Sequence, residues 1–221
     1  MEPMIDENHP KASDLDSAGT PGALVLLQHK PVYTLGTASD ENYIKLDFDK
    51  IEERGIDLVQ IERGGEVTFH GPGQLVAYPI LNLKRDYKPD IHWYMRALEE
   101  VVILSLKKVG IDNAYREDDL TGVWINGKKV AAFGVKVKRW ISMHGLAVNV
   151  LEQSTEENTF DNIVPCGIEG REVGYINEFL SEGSQIDIPN FSLKLIEAFE
   201  EIFRFDTFPV DVTARDFDLL D

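Results

Sequence analysis

The sequence predicts a single-domain α/β (α+β) protein built on a mixed, largely antiparallel sheet with packed helices. Its 221 residues are 43% hydrophobic, which is enough for one substantial core, and nothing in the composition marks a second domain. Short apolar or alternating runs of strand length recur along the chain, and one long amphipathic run of helix length separates them. Strands gathered around one long helix, with more helix near the end, are typical of this class.

The first strands are predicted from apolar runs and alternation. Residues 23–28 form a continuous apolar run that suits a buried strand, and residues 57–62 alternate like a half-buried one. Residues 74–83 indicate a further strand. Pro79 lies within it and cannot donate a backbone hydrogen bond, so we expect an edge or a bulge there.

The most regular helical pattern follows Asp90, which can cap a helix that runs to about Val109. Gly110 supplies the C-terminal stop. One amphipathic face of this helix carries Ile91, Tyr94, Met95, Leu98, Val101, Val102 and Ser105.

A hairpin is predicted after the helix. Residues 122–125 and 128–137 read as strands, and Asn126-Gly127 between them accepts the positive φ angles of a type I′ turn. Residues 141–150 supply another strand. The hairpin places Lys129 beside a tight turn.

The two ends of the chain are predicted to differ. Residues 1–22 are polar and acidic, so we expect a flexible lead ahead of a domain spanning residues 23–221. Near the other end, Asn190 or Ser192 is expected to cap an amphipathic helix that runs to about Phe203.

Charge and cysteine content exclude several classes of protein. The formal net charge of −17 argues against nucleic-acid binding, which depends on Lys and Arg neutralising phosphates. One cysteine allows no internal disulfide, and no apolar run approaches the roughly 18 residues of a membrane span. We therefore expect no membrane partner and a soluble intracellular protein, bacterial cytoplasmic or else plastid or mitochondrial, with no targeting segment visible.

Residues 121–150 depart from this acidity, because they contain five basic residues and no Asp or Glu. The segment is either a solvated strand face or a basic patch for an acidic partner. The basic residues are Lys128, Lys129, Lys136, Lys138 and Arg139.

A glycine-rich segment, residues 63–74, lies between two predicted strands and is predicted as a loop. Glycines allow backbone N–H groups to approach a ligand closely, and Arg63, Thr68, His70 and Gln74 offer hydrogen bonds along the segment. An ordinary glycine-rich turn is the alternative. The segment matches neither common phosphate-binding pattern, and the five histidines have no metal-ligand spacing, so we expect no metal and no cofactor.

The single thiol, Cys166, lies between Pro165 and Gly167, which indicates an accessible turn. An isolated cysteine is more often an inert small hydrophobic residue than a nucleophile. The other motifs of the chain reverse that expectation.

Taken together, the motifs of this chain resemble the lipoyl(octanoyl) transferase family. The similarity covers roughly residues 23–180, and residues 90–96 and 121–124 resemble the plastid-type branch. Members share the α/β catalytic fold of biotin and lipoate protein ligases. The four segments that carry the resemblance occur in the family's order and are residues 63–74, Lys129-Val-Ala-Ala-Phe-Gly134, Met143-His-Gly-Leu-Ala-Val-Asn149 and Val164-Pro-Cys-Gly167.

The resemblance implies transfer of an octanoyl group from acyl carrier protein to a lysine of a lipoyl domain, as in glycine cleavage H protein and 2-oxoacid dehydrogenase E2 subunits. Cys166 aligns with the acyl-thioester nucleophile and Lys129 with the lysine that tunes it. Tyr175 stands where members usually have serine. The substrate-contacting positions that the resemblance implies are Arg63, Gly64, Gly65, Glu66, Val67, Thr68, Phe69, His70, Ala132, Phe133, Gly134, Gly145, Leu146 and Ala147.

Elementary acid–base chemistry suggests a larger role for Lys129 than tuning a thiol. Lowering a thiol pKa from about 8.5 to about 6.5 gains only about threefold in rate, because nucleophilicity falls with pKa. The acceptor lysine, by contrast, is neutral in only about one molecule in 2,500 at neutral pH. We therefore expect Lys129 to act as its general base, with backbone N–H groups near Gly145 or Gly167 as candidate oxyanion donors.

Two alternatives remain at this point. A lipoate- or biotin-type protein ligase would activate the free acid with ATP and would need no cysteine. A non-catalytic module that binds lipoyl domains would need neither Cys166 nor Lys129.

Overall fold

The computed structural model describes residues 22–40, 43–46, 48–152, 160–163 and 172–207. No helix within these ranges is both long and apolar enough to cross a bilayer. The strands are β1 (Gly22–Leu27), β2 (Val32–Leu35), β3 (Asp57–Gln60), β4 (Val67–His70), β5 (Gln74–Leu81), β6 (Val123–Ile125), β7 (Lys128–Lys138) and β8 (Ile141–Asn149). The helices are α1 (Phe48–Glu53), α2 (Leu83–Asp86), α3 (Ile91–Lys107) and α4 (Ile188–Phe203), with 3-10 turns at Phe160–Asn162 and Ile176–Glu178.

These strands form two sheets. The larger has the order β1-β5-β8-β7-β6, and all its neighbours are antiparallel. The smaller has the order β3-β2-β4, with β2 parallel to β3 and antiparallel to β4. The predicted α+β class with a mixed, largely antiparallel arrangement is confirmed, although the prediction did not divide the strands between two sheets.

Each sheet has its own core. Helices α3 and α4 pack against each other and against the larger sheet, where Leu75, Leu98 and Phe199 are buried together. The smaller sheet covers a second cluster that includes Tyr33 and Phe69. The space between the two sheets is therefore bounded on both sides by rigid structure.

The prediction for α3 is confirmed at both ends. The Asp90 side chain accepts a hydrogen bond from the Trp93 backbone N–H at 3.0 Å, which caps the first turn. Gly110 has a φ of +90° just beyond the last turn. The hairpin is confirmed as well, since Asn126 and Gly127 have φ angles of 49° and 83°.

The predicted cap of the C-terminal helix is wrong. Helix α4 begins at Ile188, and the side chain of Asp187 accepts the hydrogen bond from the Asn190 backbone N–H at 2.8 Å. Pro189 fits in the first turn because the backbone N–H that it lacks has no partner there in any helix. Asn190 is thus a donor to the cap, and Ser192 lies inside the helix.

Pro79 lies at a local edge of the larger sheet, as predicted. The β5–β8 ladder ends at Ala77, so Pro79 pairs only with β1. The buried Ser142 hydroxyl replaces the missing ladder, because it donates to the Pro79 carbonyl at 2.7 Å and accepts from the Leu81 N–H at 2.9 Å.

Candidate active site

A cavity of about 450 Å³ lies between the two sheets. Its volume is in the range of sites for small ligands. Strands β7 and β8 and the segment of residues 61–70 supply most of its wall, and α3 contributes Ile91 and Met95 from the face that was predicted to be apolar. The sequence-predicted positions that line the cavity are Arg63, Gly64, Gly65, Glu66, Thr68, His70, Lys129, Ala132, Phe133, Gly134, Gly145, Leu146 and Ala147.

Val67 and Phe69, which were also predicted to contact substrate, do not line the cavity. The segment predicted as a loop contains strand β4, and alternate side chains of a strand point to opposite faces. Thr68 and His70 line the cavity, whereas Val67 and Phe69 are buried in the core of the smaller sheet. This four-residue strand was not predicted because glycines on either side of it indicated a loop.

The other two predicted segments are cross-strand partners. Residues 132–134 of β7 pair directly with residues 147–145 of β8. A Cβ on Gly145 would lie 2.2 Å from the Ala77 carbonyl oxygen, and one on Gly134 would lie 2.8 Å from the Arg63 side chain. Both glycines are therefore required by close packing around the cavity.

Arg63 joins the two sheets. The residue is 7% exposed, and its guanidinium donates to the Thr34 carbonyl at 2.7 Å and to the Thr34 hydroxyl at 2.8 Å. The neighbouring Gly64 N–H donates to the Val135 carbonyl of β7 at 2.9 Å. The charge of Arg63 is thus held at the cavity wall by bonds to β2.

His70 begins a chain of side-chain hydrogen bonds. The Gln74 amide nitrogen donates to the Phe69 carbonyl and to Asn149 Oδ1, so its oxygen faces His70 Nδ1 at 2.6 Å. This assignment makes Nδ1 the donor and leaves Nε2 of the neutral ring as an acceptor. Burial lowers the pKa of His70 to about 4, although the bond with Gln74 opposes the shift. His70 is therefore uncharged at neutral pH.

Stability should depend on pH through this ring. The unfolded chain takes up the proton near pH 6.5, before the folded one does, so stability falls as the pH drops below about 6.5. Between about pH 7.5 and pH 5 we expect a loss of about 2 kcal/mol in the free energy of unfolding. Denaturant titrations of His70→Gln should lack this part of the pH dependence, while His92→Gln, at an exposed position on α3, should keep it. An unchanged pH dependence in His70→Gln would contradict the assignment.

Tyr78 and His144 extend this polar wall, and His29 contacts Tyr78. His29 Nε2 lies 2.8 Å from the Tyr78 hydroxyl, and the rings of Tyr78 and His144 are 6.1 Å apart. Burial lowers the pKa of His29 and His144 and raises that of Tyr78, so none of the three is charged near neutral pH. None of the three was predicted from the sequence as a site residue, although the alternation of β5 places Tyr78 on the same face as Val76, which also lines the cavity.

Lys129 lines the same cavity and is 8% exposed. It pairs with Trp124 across the hairpin, and its Nζ lies 5.3 Å from the centroid of that indole ring. The Lys129 N–H donates to the Glu172 carbonyl at 2.9 Å, and its carbonyl accepts from the Gly174 N–H at 3.0 Å. The hairpin thus holds Lys129 at the cavity wall, two residues after the predicted tight turn.

Cys166 and Gly167 lie outside the described residues, within segment 164–171. The residues that border this segment are placed. Ile163 is fully buried in the smaller core, and Glu172 is bonded to the Lys129 backbone.

The basic segment is less uniform than its sequence suggests. Lys136 forms an ion pair with Glu62, and Lys128 pairs with Glu178 at 2.7 Å. Lys138 and Arg139 are exposed at the β7–β8 turn. The segment is therefore neither a uniform solvated face nor a five-residue patch.

The chain matches the model of the lipoyl protein ligase A/B catalytic domain over residues 11–200. It is 47% identical to the chloroplastic octanoyltransferase LIP2p2 of Arabidopsis thaliana, over 91% of this chain and 69% of that protein. It is 52% identical to an octanoyltransferase of Nostoc punctiforme, over 71% of this chain and 65% of that protein. Among solved structures, the bipartite lipoate protein ligase of Thermoplasma acidophilum superposes with a TM-score of 0.70 at 20% identity, covering 91% of this chain and 78% of that one.

Proposed function

The chain belongs to the lipoyl protein ligase A/B catalytic domain family, and we propose that it transfers an octanoyl group from acyl carrier protein to a lysine of a lipoyl domain through a thioester on Cys166. The identities to octanoyltransferases support an acyltransferase. The likeness to the ligase, at 20% identity, concerns the fold alone.

The observation that carries the proposal is the meeting of Lys129 with an apolar wall in one cavity. Phe133, Leu146 and Val76 supply apolar surface there, which suits the hydrocarbon chain of an octanoyl group. Lys129 supplies an amine in the same space. Of the described residues that border the segment containing Cys166, Ile163 is buried in the smaller core and Glu172 is bonded to the Lys129 backbone.

The proposed chemistry has two steps. In the first, the Cys166 thiolate attacks the donor thioester, a new carbon–sulfur bond forms, and the bond to the carrier sulfur breaks; the carrier leaves as a thiol with the proton of the Lys129 ammonium. In the second, the neutral Lys129 amine takes one proton from the acceptor ammonium, and the acceptor amine attacks the Cys166 thioester. An amide bond forms, the Cys166 thiolate is released, and the second proton of the acceptor nitrogen passes to solvent.

Mass spectrometry after mixing the protein with octanoyl-acyl carrier protein tests this proposal. The expected result is one octanoyl adduct on Cys166, which disappears when a lipoyl domain is added without ATP. Turnover that requires free octanoate, ATP and Mg²⁺ would favour a ligase. Binding of lipoyl domains without any adduct would favour a non-catalytic module.

The donor is expected to dock at the turn between β7 and β8. Lys138 and Arg139 are exposed there, three and four residues beyond Val135 of the cavity wall, and acyl carrier proteins are typically acidic. Lys138→Glu with Arg139→Glu should raise the KM for the carrier protein about tenfold at low salt and flatten its salt dependence.

Lys128→Glu is the matched control, because it reverses a charge at the other end of β7, where Lys128 is paired with Glu178. We expect it to leave the KM for the donor unchanged. Equal effects of the two charge reversals would indicate general electrostatics rather than docking at the turn.

A further inference from the structure

Glu99 is a buried carboxylate on α3 that the proposed chemistry does not use. It is 1% exposed, and both its oxygens accept hydrogen bonds. Oε1 accepts from the Gly122 backbone N–H at 3.0 Å, and Oε2 accepts from Arg96 at 2.8 Å. Glu99 follows Ile91 and Met95 at intervals of four, so all three share the side of α3 that faces the cavity.

Gly122 is the residue against which Lys129 packs. A Cβ on Gly122 would lie 2.6 Å from Lys129 Cε and 3.2 Å from Trp124 Nε1. The indole ring bounds Lys129 on another side, with its centroid 5.3 Å from Nζ. The location of the Lys129 amine therefore depends on where the Gly122 backbone lies. A shift of that backbone by a few tenths of an ångström would move the amine.

The segment that leads to Gly122 is tied to α3 by further bonds. Arg96 donates to the carbonyls of Glu117 and Asp118 at 3.3 and 3.2 Å, and Arg116 donates to the Glu100 carboxylate. The next residues, 119–121, line the cavity. The hydrogen bond between Glu99 and Gly122 extends this attachment to α3 as far as Gly122, which contacts Lys129.

We propose that Glu99 is a positioning residue for Lys129 and acts through its hydrogen bond to Gly122. The proposal rests on the role of Lys129 given above, but it does not depend on which step Lys129 serves. It attributes the effect to an acceptor oxygen at a fixed distance rather than to the negative charge. Removing that oxygen leaves the buried Gly122 N–H without its acceptor and releases the backbone beneath Lys129.

Two conservative variants separate the effect of the length of the Glu99 side chain from the effect of its charge. Glu99→Asp keeps the charge but is one methylene shorter, so a 3.0 Å bond to Gly122 should be lost. Glu99→Gln loses the charge but keeps one oxygen at the same distance to accept from Gly122, and its amide nitrogen then faces Arg96, which is partly exposed and can turn to solvent. We expect Glu99→Asp to slow the step that depends on Lys129 about 100-fold, as a misplacement of about 1 Å can, and Glu99→Gln to stay within about fivefold of the parent.

A double-mutant cycle with Lys129→Ala tests whether Glu99 acts through Lys129. In that background, Glu99→Asp should change the rate by less than about twofold, because the group it positions is already gone. Gly122→Ala, which displaces Lys129 Cε directly, should also lose its effect there. A general structural defect would instead multiply with the Lys129 substitution.

The matched control is Asp86→Asn, at a second buried carboxylate that pairs with the neighbouring Arg85 and does not line the cavity. It should leave both steps unchanged. The inference is overturned if Glu99→Asp reacts at the parent rate, if Glu99→Gln loses as much as Glu99→Asp, or if the effects multiply in the cycle. If Lys129→Ala itself proves fully active, the proposed role of Lys129 fails, which is a separate and distinguishable result.

Discussion

Cys166→Ala is expected to form no octanoyl adduct and to lose turnover by at least about 10⁴-fold. The physical reason is that the chain has one cysteine, so no second thiol can take over the covalent step. The measurement is intact-protein mass spectrometry with octanoyl-acyl carrier protein, followed by single-turnover transfer to a lipoyl domain.

The control for this prediction is Cys166→Ser, which keeps the size of the side chain. A serine hydroxyl ionises far less readily than a thiol, so the variant should acylate slowly if it acylates at all. An adduct of octanoyl mass on Cys166→Ala would contradict the prediction and would place the nucleophile elsewhere in the chain.

Local sequence signals predicted the elements whose determinants are local. The hairpin followed from Asn126-Gly127, and α3 followed from Asp90, Gly110 and its apolar period. Strand β4 was missed because four residues between glycines carry too short an alternation to be distinguished from a loop. Which of its side chains face the cavity depends on the pairing of β4 with β2, which is distant in sequence.

The site shows the same division between local and long-range signals. Three of the motif segments contribute residues to the cavity wall, and two of them lie side by side through the direct pairing of β7 with β8. The contacts of Glu99 with Gly122 and of Arg63 with Thr34 could not be predicted, because each joins residues more than twenty positions apart in the chain. The pairing of Lys136 with Glu62 was missed for the same reason.

The shared fold leaves the choice between transferase and ligase to the chemistry of the site. A ligase activates a carboxylic acid with ATP, whereas a transferase receives an acyl group already activated as a thioester and must hold it while donor and acceptor exchange places. The proposed covalent intermediate on Cys166 would meet that requirement without a cofactor. On this proposal Lys129 is needed most when the acceptor arrives, because the acceptor amine enters as an ammonium.

Lys129→Ala is therefore expected to separate the two steps of the reaction. Activation of the thiol accounts for only about threefold, so the variant should still acquire octanoate on Cys166, about threefold more slowly. Deprotonation of the acceptor is worth about 10²- to 10⁴-fold, so transfer should slow by that factor and the acyl-enzyme should accumulate.

Lys128→Ala provides the matched control, because Lys128 is the preceding residue on β7 and pairs with Glu178 at 2.7 Å rather than lining the cavity. It should acylate and transfer at the parent rates. Single-turnover kinetics with isolated acyl-enzyme measures the second step alone, so a weakened first step cannot mimic the result. If Lys129→Ala fails chiefly to acylate while pre-acylated enzyme transfers normally, Lys129 acts on the thiol, and the general base for the acceptor must be sought elsewhere in the cavity. The neutral ring of His70, whose Nε2 is an acceptor, would then be the next group to test.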